Sequence, residues 1–410
     1  MRRAVITGLG AVTPVGNDVP TTWSNLVAGQ SGVVEITRFD TTGYPVTIAA
    51  EVKDFDPALA MPAKEVRKTG PDVHYGVAAA MEAARDAGID QIDTSRAGVI
   101  IGSAVGGLPQ VLDQQKVLEE RGRERVSPHW LPNMLVDTTT SHVATQLGWR
   151  GVNYAVVSAC ASGSHAIGDA AEVIKPGQAD AILAGGTESA IVPLILAGFC
   201  SMRALADGGD NPAGASRPFD ATRSGFVMAE GAAVVMVEDL EHAKQRGAKI
   251  YCEVAGYGAS NDAYHVATPH PESIGVIDMM RAALAASRVP PEEVDYINAH
   301  GTSTPYNDAA ETLAIKTVFG EHAHELAVSS IKSMVGHLFG AAGAIEALST
   351  VLTIHHGVIP PTINYRHPDP ACDLDYVPNE AREADVRVAL SNSMGLGGHN
   401  GCVILKRFEE

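Results

Sequence analysis

Cys160 stands where a thiol could act as a nucleophile. It lies in the segment Val156-Val157-Ser158-Ala159-Cys160-Ala161-Ser162-Gly163, between a predicted strand and an Ala-rich predicted helix, with small residues around it as a sharp turn requires. A thiol at the start of a helix is close to the positive end of the helix dipole and to free N–H groups, and both favour the nucleophilic thiolate. The alternative is a buried structural cysteine, the state we expect for the remaining four: Cys200, Cys252, Cys372 and Cys402.

Two histidines follow predicted buried strands in glycine-framed turns. His300 lies in Asn298-Ala299-His300-Gly301-Thr302, and His337 lies in Lys332-Ser333-Met334-Val335-Gly336-His337. In open α/β sheets, ligands bind at the carboxyl ends of strands. We therefore expect the thiol and both imidazoles to converge on one site. The other histidines, such as His322, His324, His355 and His356, are surface or helix residues by default.

Short apolar runs alternate with amphipathic segments along the chain, which predicts a layered α/β fold whose strands are buried on both faces. One helix is predicted from Pro71 to Gly88, and another follows Asp239 and ends at Gly247. The predicted strands are Ala4–Thr7, Val99–Ile101, Tyr154–Val157, Ala181–Ala184, Ala233–Val237, Ile250–Val254, Val294–Ile297, Leu326–Val328, Val386–Leu390 and Cys402–Leu405.

The sequence contains a faint internal repeat. Residues 154–173 are typical of a strand, the cysteine turn and a helix, and residues 326–354 are typical of a strand, the His337 turn and a helix. Each unit is followed by a strand that ends in glycines. A duplicated α/β half is the simplest explanation. We place the N-terminal half at residues 1–250, with the cysteine turn, and the C-terminal half at residues 251–410, with both histidines.

Composition and charge exclude several classes of protein. Lys and Arg number 30 and Asp and Glu 48, so the net charge is −18, which argues against nucleic-acid binding and against broad attachment to anionic lipid. The five widely spaced cysteines form neither a disulfide framework nor a zinc pattern. We therefore expect no metal site and a reducing, cytoplasmic location. The first residues are typical of a strand rather than a signal peptide, and Ala190–Cys200 is too short for a membrane span.

Three shorter motifs point elsewhere but are incomplete. Gly8-Leu9-Gly10 begins like a dinucleotide-binding fingerprint, yet Thr13 stands where the third glycine belongs. Ser329-Ser330-Ile331-Lys332 and Lys68-Thr69-Gly70 match two elements of the penicillin-binding proteins, but in the wrong order and without the third element, Ser-Asp-Asn.

Four segments together resemble the β-ketoacyl-ACP synthases, specifically the elongating enzymes of type II systems. The segments are Val157–Cys160, Asn298–Thr304, Lys332–His337 and Asn392–Asn400, the last reading Asn-Ser-Met-Gly-Leu-Gly-Gly-His-Asn. The resemblance covers nearly the whole chain with its motifs in the same order. It implies a thiolase fold, which is a duplicated five-layer α/β/α/β/α pseudo-dimer, in a protein that works as a dimer.

The resemblance also implies the chemistry. The enzymes of this family condense malonyl-ACP, with loss of CO₂, onto an acyl chain held by the cysteine. They need no cofactor of their own, because acyl carrier protein carries the 4′-phosphopantetheine. The implied catalytic residues are Cys160, His300, His337 and Lys332, with Glu346 as the partner of the lysine.

The remaining implied roles concern binding. The backbone N–H groups of Cys160 and Leu396 would form an oxyanion hole, and Met394 and Leu396 occupy the gate. Thr302 and Thr304 suit hydrogen bonds to the pantetheine amides, or else only a local turn after the histidine.

Two further expectations concern the acyl pocket and the docking surface for the carrier. The pocket would contain Val105, Leu108, Asp113 and Thr138, although an Asp on a helix is usually solvated. The acidic carrier would dock on basic residues: Lys64, Arg67, Lys68 and Arg203, with Arg121, Arg123 and Arg125 as a further cluster. The alternative is a set of ordinary solvated charges.

The gate departs from the family pattern and leaves the pathway open. The family usually has phenylalanine where Met394 and Leu396 stand, and aspartate where Ser224 stands. Both type II fatty-acid synthesis and a type II polyketide, including a polyene, remain open. So do a homodimer and a heterodimer with a chain-length factor. A thiolase would need a second cysteine in the 394–399 turn, and a chain-length factor would lack the nucleophile, whereas this chain has Cys160 and no cysteine in that turn.

Overall fold

The computed structural model describes residues 2–89 and 92–409. Met1 and Glu410, the outer bounds of the two predicted halves, lie outside the described residues. The strands are β1 (Ala4–Val12), β2 (Val33–Glu35), β3 (Ile48–Ala50), β4 (Ala97–Gly102), β5 (Asn153–Tyr154), β6 (Ala181–Glu188), β7 (Gly231–Asp239), β8 (Cys252–Asn261), β9 (Tyr296–Asn298), β10 (Ala327–Ser329), β11 (Val358–Ile359), β12 (Arg382–Glu383), β13 (Val388–Gly395) and β14 (His399–Lys406).

Helices connect most of these strands. They are α1 (Val19–Val27), α2 (Ala63–Val66), α3 (Pro71–Ala87), α4 (Leu108–Arg121), α5 (Trp130–Asn133), α6 (Thr138–Leu147), α7 (Ser162–Ile174), α8 (Pro193–Met202), α9 (Leu240–Gln245), α10 (Ile274–Ser287), α11 (Pro305–Phe319), α12 (Lys332–Val335) and α13 (Ala342–His356). Each helix in the described residues is too short or too polar to cross a membrane.

The main sheet repeats one strand order. Its full order is β10-β9-β13-β14-β8-β1-β7-β6-β4-β5. Numbered along the chain, the five strands β1, β7, β6, β4 and β5 stand in the order 1-5-4-2-3, and so do β8, β14, β13, β9 and β10. The two groups meet where β1 pairs with β8 through Val5 with Glu253 and Ile6 with Cys252. The predicted duplicated α/β fold is confirmed.

Helices cover both faces of each group of strands. Helix α3 packs on β1, β7 and β6, while α7 and α13 pack against each other and each contacts strands, and α10 covers β8 and β14. The backbones of helix α3 and strand β1 approach closely because small residues line the contact between them. A Cβ added to Gly8 would lie 2.2 Å from the Ala83 carbonyl oxygen. This glycine–alanine packing lets buried layers form although aromatic residues make up only 5% of the chain.

Most predicted elements are observed, with five corrections at strand ends. The predicted strand Tyr154–Val157 is only Asn153–Tyr154, because the chain leaves the sheet early and Val157 is 58% exposed. Four predicted strands begin later than predicted. Ile250–Val254 begins at Cys252, Val294–Ile297 at Tyr296, Leu326–Val328 at Ala327 and Val386–Leu390 at Val388. Asp239 precedes α9 as predicted, but its side chain makes no capping hydrogen bond and lies 3.7 Å from Arg2 Nη1 instead.

Candidate active site

Cys160 lies in a sharp turn just before α7. Ala159 has a φ of +51°, a conformation that non-glycine residues seldom adopt. The turn is held by Ser162 Oγ, which accepts from the Ser158 N–H at 2.9 Å and donates to the Ala159 carbonyl at 2.7 Å. Cys160 is 8% exposed and lines a cavity. The predicted turn between a strand and a helix is therefore present, although β5 itself ends earlier.

His300 follows β9 and is held on both sides. Its N–H and that of Gly301 donate to Glu311 Oε1 and Oε2 at 2.9 and 2.8 Å. The Lys332 Nζ group lies 3.2 Å from His300 Nδ1 and donates to the His300 carbonyl at 2.7 Å. The imidazole is buried, and its ring also lines the cavity.

His337 follows α12 and faces His300. Its N–H donates to the Val227 carbonyl at 2.8 Å, and its carbonyl accepts from the Ala229 N–H at 3.0 Å. The two imidazole rings are 5.4 Å apart between centroids and nearly perpendicular, at 87°. Within residues 2–89 and 92–409, the buried His337 Nδ1 has no hydrogen-bond partner. The two turns thus bring both rings to one wall.

These groups surround one cavity of about 540 Å³. The residues that the sequence analysis singled out and that line this cavity are Cys160, His300, His337, Thr302, Thr304, Met394, Leu396 and Arg203. Leu396 is 40% exposed, so the glycine-rich segment that the resemblance assigned to the gate lies at the surface end of the cavity. The cavity therefore connects a buried thiol and two imidazoles to solvent.

Desolvation sets the protonation states. Burial raises the pKa of the Cys160 thiol to about 12, and nearby Lys332 and a hydrogen bond from the Leu396 N–H only partly oppose it. Burial thus opposes the helix end, which the sequence analysis expected to favour a thiolate. Burial, with the Lys332 charge, also holds the pKa of both His300 and His337 well below the usual value. In the free site, burial therefore favours the uncharged form of the thiol and of both imidazoles.

Lys332 and Glu346 form a buried ion pair beside His300. Both side chains are at most 2% exposed, and Lys332 Nζ donates to Glu346 Oε1. Burial raises the pKa of Glu346, and the lysine opposes that shift. Lys332 therefore contacts both His300 and the carboxylate that the resemblance assigned to it.

The two threonines after His300 stay together at the cavity wall. Thr302 Oγ1 and Thr304 Oγ1 are 2.9 Å apart, and Thr304 Oγ1 also accepts from the Asn307 N–H at 3.4 Å as the N-cap of α11. The local turn that was the alternative reading is thus present. It does not remove the two hydroxyl groups from the cavity wall, where a ligand amide could reach them.

The predicted acyl-pocket residues do not line this cavity. Val105 and Leu108 are half-buried at the start of α4, and Asp113 is exposed on that helix. The buried Thr138 hydroxyl donates to the Leu135 carbonyl at 2.9 Å, at the start of α6. In the single chain these four residues are therefore not joined to the thiol, and their role stays a prediction.

The predicted docking cations lie in separate places. Arg203 is exposed at the cavity. Lys64, Arg67 and Lys68 lie in or next to α2, where Lys68 pairs with Glu65 at 2.9 Å. Arg121, Arg123 and Arg125 are exposed at the end of α4 and beyond it. Of these seven cations, only Arg203 lines the cavity.

Sequence reasoning missed an aromatic wall. Phe199, Phe226 and Phe339 line the cavity, and the ring of Phe339 lies 5.1 Å from that of His337. Phe199 stacks on Phe339 with centroids 5.4 Å apart. The available signal was rarity: these are three of only eight phenylalanines in the chain.

Arg223 was also missed as a support for the threonine loop. Its buried guanidinium donates to the carbonyls of Thr304 and Pro305 at 3.2 and 3.0 Å and to Asp369 Oδ2 at 2.5 Å.

Across the described ranges, no three His, Cys, Asp or Glu side chains are grouped as a metal site would require.

Known proteins share this fold and these sequence features. The β-ketoacyl synthase N-terminal domain matches residues 1–243 and the β-ketoacyl synthase C-terminal domain matches residues 251–366. The 3-oxoacyl-[acyl-carrier-protein] synthase 2 of Coxiella burnetii (strain RSA 493 / Nine Mile phase I) is 49% identical over 99% of both chains.

Two solved structures are similar over their whole length. One is a type II polyketide ketosynthase in complex with its acyl-carrier protein, AntDE:AntF, with a TM-score of 0.92 and 33% identity over 100% of both chains. The other is the ishigamide ketosynthase/chain length factor, with a TM-score of 0.90 and 36% identity over 100% of both chains. With both domains matched in order around the Cys160 cavity, this chain belongs to the β-ketoacyl synthase family.

Proposed function

We propose that this protein is an elongating β-ketoacyl-ACP synthase that condenses malonyl-ACP with an acyl chain held on Cys160. The observation that carries the proposal is the convergence of Cys160, His300 and His337 on one cavity that opens to solvent. A reaction between two carrier-bound thioesters needs such a channel, because each carrier stays outside while its pantetheine arm reaches the thiol.

The first half-reaction is acyl transfer. The Cys160 sulfur attacks the acyl carbon, the carbon–sulfur bond to the carrier's pantetheine breaks, and the proton of Cys160 ends on the departing pantetheine sulfur. The tetrahedral oxyanion is stabilised by the backbone N–H groups of Cys160 and Leu396. Because burial keeps the pKa of the thiol high, proton removal belongs to the reaction step itself rather than to the free protein.

The second half-reaction starts with decarboxylation. The bond between the malonyl carboxylate and the α-carbon breaks, CO₂ leaves, and the electron pair passes to the thioester as an enolate. His300 and His337 are neutral, so each can donate one N–H to the enolate oxygen. The enolate carbon then attacks the acyl carbon on Cys160, a carbon–carbon bond forms, and the Cys160 sulfur departs and recovers a proton.

Supporting residues hold these groups in place. Lys332 orients His300 and is paired with Glu346. Thr302 and Thr304 hydrogen-bond the pantetheine amides, Met394 and Leu396 form the gate, and Arg203 at the cavity contacts the acidic carrier. Val105, Leu108, Asp113 and Thr138 would join the acyl pocket only if a partner chain completes it.

For the pathway, we favour type II fatty-acid elongation, because the Coxiella relative named above matches over 99% of both chains. The second candidate is a polyketide or polyene pathway. It is supported by the aliphatic gate residues Met394 and Leu396 and by the two similar polyketide-type ketosynthase structures. A competition between saturated and 2,4-dienoyl carriers of equal length separates these candidates, and a preference for the dienoyl chain would favour the second.

We further propose that the chain works as a dimer, either with itself or with a chain-length factor. Strand β5 stands at one end of the main sheet, and the segment around it exposes Tyr154 and Val157 by 37% and 58%. Exposed apolar groups beside an edge strand are typical of a surface that pairs with another chain.

The cytoplasmic location and the division into halves at residues 1–250 and 251–410 also stay proposals.

Reconstitution tests the function directly. The purified protein, an acyl-carrier and a malonyl-carrier are incubated together, and the mass of the carrier product is measured. The expected product is the acyl chain longer by two carbons with a 3-oxo group, and Cys160→Ala should give none. Transfer of acyl groups to coenzyme A rather than extension on the carrier would favour a thiolase instead.

A further inference from the structure

Glu188 ends strand β6 with a fully buried carboxylate that the mechanism above does not use. Its Oε1 accepts from Ser103 Oγ at 2.9 Å and from the Val105 N–H at 3.3 Å. Its Oε2 accepts from the N–H groups of Ala104 and Gly340 at 2.7 and 2.9 Å. One carboxylate thus joins two loops, one between β4 and α4 and the other just before α13.

The first of these loops touches the Cys160 segment on both sides of the thiol. The Ser103 N–H donates to the Val156 carbonyl at 3.3 Å. Gly102 packs on Ser162, the first residue of α7, so closely that an added Cβ would lie 2.7 Å from the Ser162 Cβ. A shift of residues 102–105 would therefore move the turn that carries Cys160.

The second loop follows His337 directly. Phe339, whose ring packs on His337, has a φ of +46°, and Gly340 supplies the N–H that Glu188 accepts. The Gly340 carbonyl oxygen would lie 3.0 Å from a Cβ on Gly163 and 2.5 Å from one on Gly186. Backbone thus meets backbone here, and the loop has no space in which to adjust.

We propose that Glu188 is a positioning residue that fixes the Cys160 turn relative to the His337 turn by holding residues 103–105 and Gly340 on one carboxylate. The inference rests on the proposed function, because it assigns the thiol and the imidazole to one reaction. It goes beyond that function in naming the group that sets their separation.

The four donors require a carboxylate. In Glu188→Gln, one carboxylate oxygen becomes an NH₂ group that faces two hydrogen-bond donors, which leaves buried N–H or O–H groups unpaired. Burial raises the pKa of Glu188 itself to about 7, so Glu188 is an anion above that pH, where its charge contributes to raising the pKa of the Cys160 thiol. The variant therefore loses both the loop contacts and a buried negative charge near the sulfur.

A matched pair of variants separates positioning from stability. Glu238 is a second fully buried glutamate, near the end of strand β7. Its partners Thr7, His242 and Arg246 do not line the cavity. Glu188→Gln and Glu238→Gln are compared with the native protein in two assays: the condensation rate per folded molecule, and the rate of Cys160 alkylation by iodoacetamide as a function of pH.

Glu188→Gln should condense about 100-fold more slowly per folded molecule, as expected when reacting groups are displaced by about 1 Å. Its alkylation profile should also shift to lower pH, because a negative charge near the sulfur has been removed. Glu238→Gln should show the native condensation rate and alkylation profile. A native condensation rate or an unshifted profile for Glu188→Gln would overturn the proposal.

Two further controls keep the test decisive. If Glu188→Gln does not fold, Ser103→Ala, which removes one of the four donors, should slow condensation severalfold, and a native rate would overturn the proposal. If the native protein does not condense carrier-bound substrates at all, the proposed function fails. The alkylation profile then still decides whether Glu188 acts on Cys160.

Discussion

Lys332 Nζ lies 3.2 Å from His300 Nδ1, deep beneath the cavity. An ammonium group has no lone pair, so His300 Nδ1 must accept in this contact and the proton of the neutral ring must be on Nε2. The lysine thus fixes the tautomer of His300 as well as its place. The buried His337 Nδ1 has no such partner among the described residues. The two imidazoles therefore line the same cavity, but within the described part of the chain only His300 has a hydrogen-bond partner at Nδ1 that fixes its tautomer.

Both histidines should be needed for the loss of CO₂. His300→Ala and His337→Ala should each slow decarboxylation of malonyl-carrier by about 10²-fold or more, as for the loss of an oxyanion donor. The measurement is release of labelled CO₂ from malonyl-carrier. His322→Ala, outside the cavity, serves as the control. Native decarboxylation in both variants would contradict the assigned role.

Only Cys160 should carry the acyl group. Cys160→Ala should abolish the acyl adduct seen by intact-protein mass spectrometry and leave the far-ultraviolet circular dichroism unchanged, because alanine fits where the thiol is. Cys252→Ala, a buried cysteine away from the cavity, should acylate like the native protein. An adduct mapped to any other cysteine would reject Cys160 as the nucleophile.

Breaking the Lys332–Glu346 pair should cost stability. Lys332→Met leaves the buried Glu346 carboxylate without its cation and should lower the free energy of unfolding by about 3–5 kcal/mol. The double variant Lys332→Met/Glu346→Leu should recover part of that loss, because no charge is then left unpaired. Urea denaturation measures both effects. A double variant less stable than Lys332→Met would argue against the buried pair as the cause.

The pH dependence of decarboxylation should lack the usual histidine inflection. The pKa of both His300 and His337 is held well below its ordinary value by burial and by Lys332, so both rings stay neutral as the pH falls through the range where a free histidine gains a proton. Decarboxylation should therefore persist below about pH 6. The check is the rate as a function of pH at saturating substrate, and a decline centred on the ordinary histidine pKa would contradict the burial argument.

Docking of the carrier should depend on salt through Arg203. This side chain is exposed at the cavity, so it can meet an acidic carrier whose pantetheine arm enters there. Arg203→Ala should raise the KM for the carrier severalfold and flatten its dependence on salt, with little change in kcat. Arg150→Ala, an exposed arginine that does not line the cavity, should leave both unchanged. A salt-independent KM in the native protein would count against steering by charge.

The sequence was most informative where the chemistry is local. Turns such as those at Cys160, His300 and His337 follow from small residues next to short apolar runs, and a glycine such as Gly8 marks a close helix contact whatever the rest of the chain does. The predicted ends of strands were less accurate. The sequence around Val156 predicts a strand, but the Val156 carbonyl accepts a hydrogen bond from the N–H of Ser103, which lies in a loop.

What could not be predicted depends on segments far apart in the chain. The helix dipole at Cys160 is visible in the sequence, whereas the desolvation that opposes it arises only when the folded chain buries the thiol. Glu188 likewise reads as the end of an apolar run, and nothing in the sequence says that its four donors come from two distant loops. The acyl pocket is a third case, because Asp113 and its neighbours lie outside the cavity of the single chain.

The protonated state of Cys160 also bears on how this protein withstands oxygen. Peroxide attacks thiolates rather than thiols, and the route to irreversible sulfinic and sulfonic acids begins with that attack. Because burial raises the pKa of Cys160, the uncharged thiol is favoured, and we expect oxidants that reach the cavity to react with it more slowly than with an exposed cysteine. The same reasoning applies to covalent inhibitors, for which we expect contacts within the cavity to matter more than the intrinsic reactivity of the electrophile.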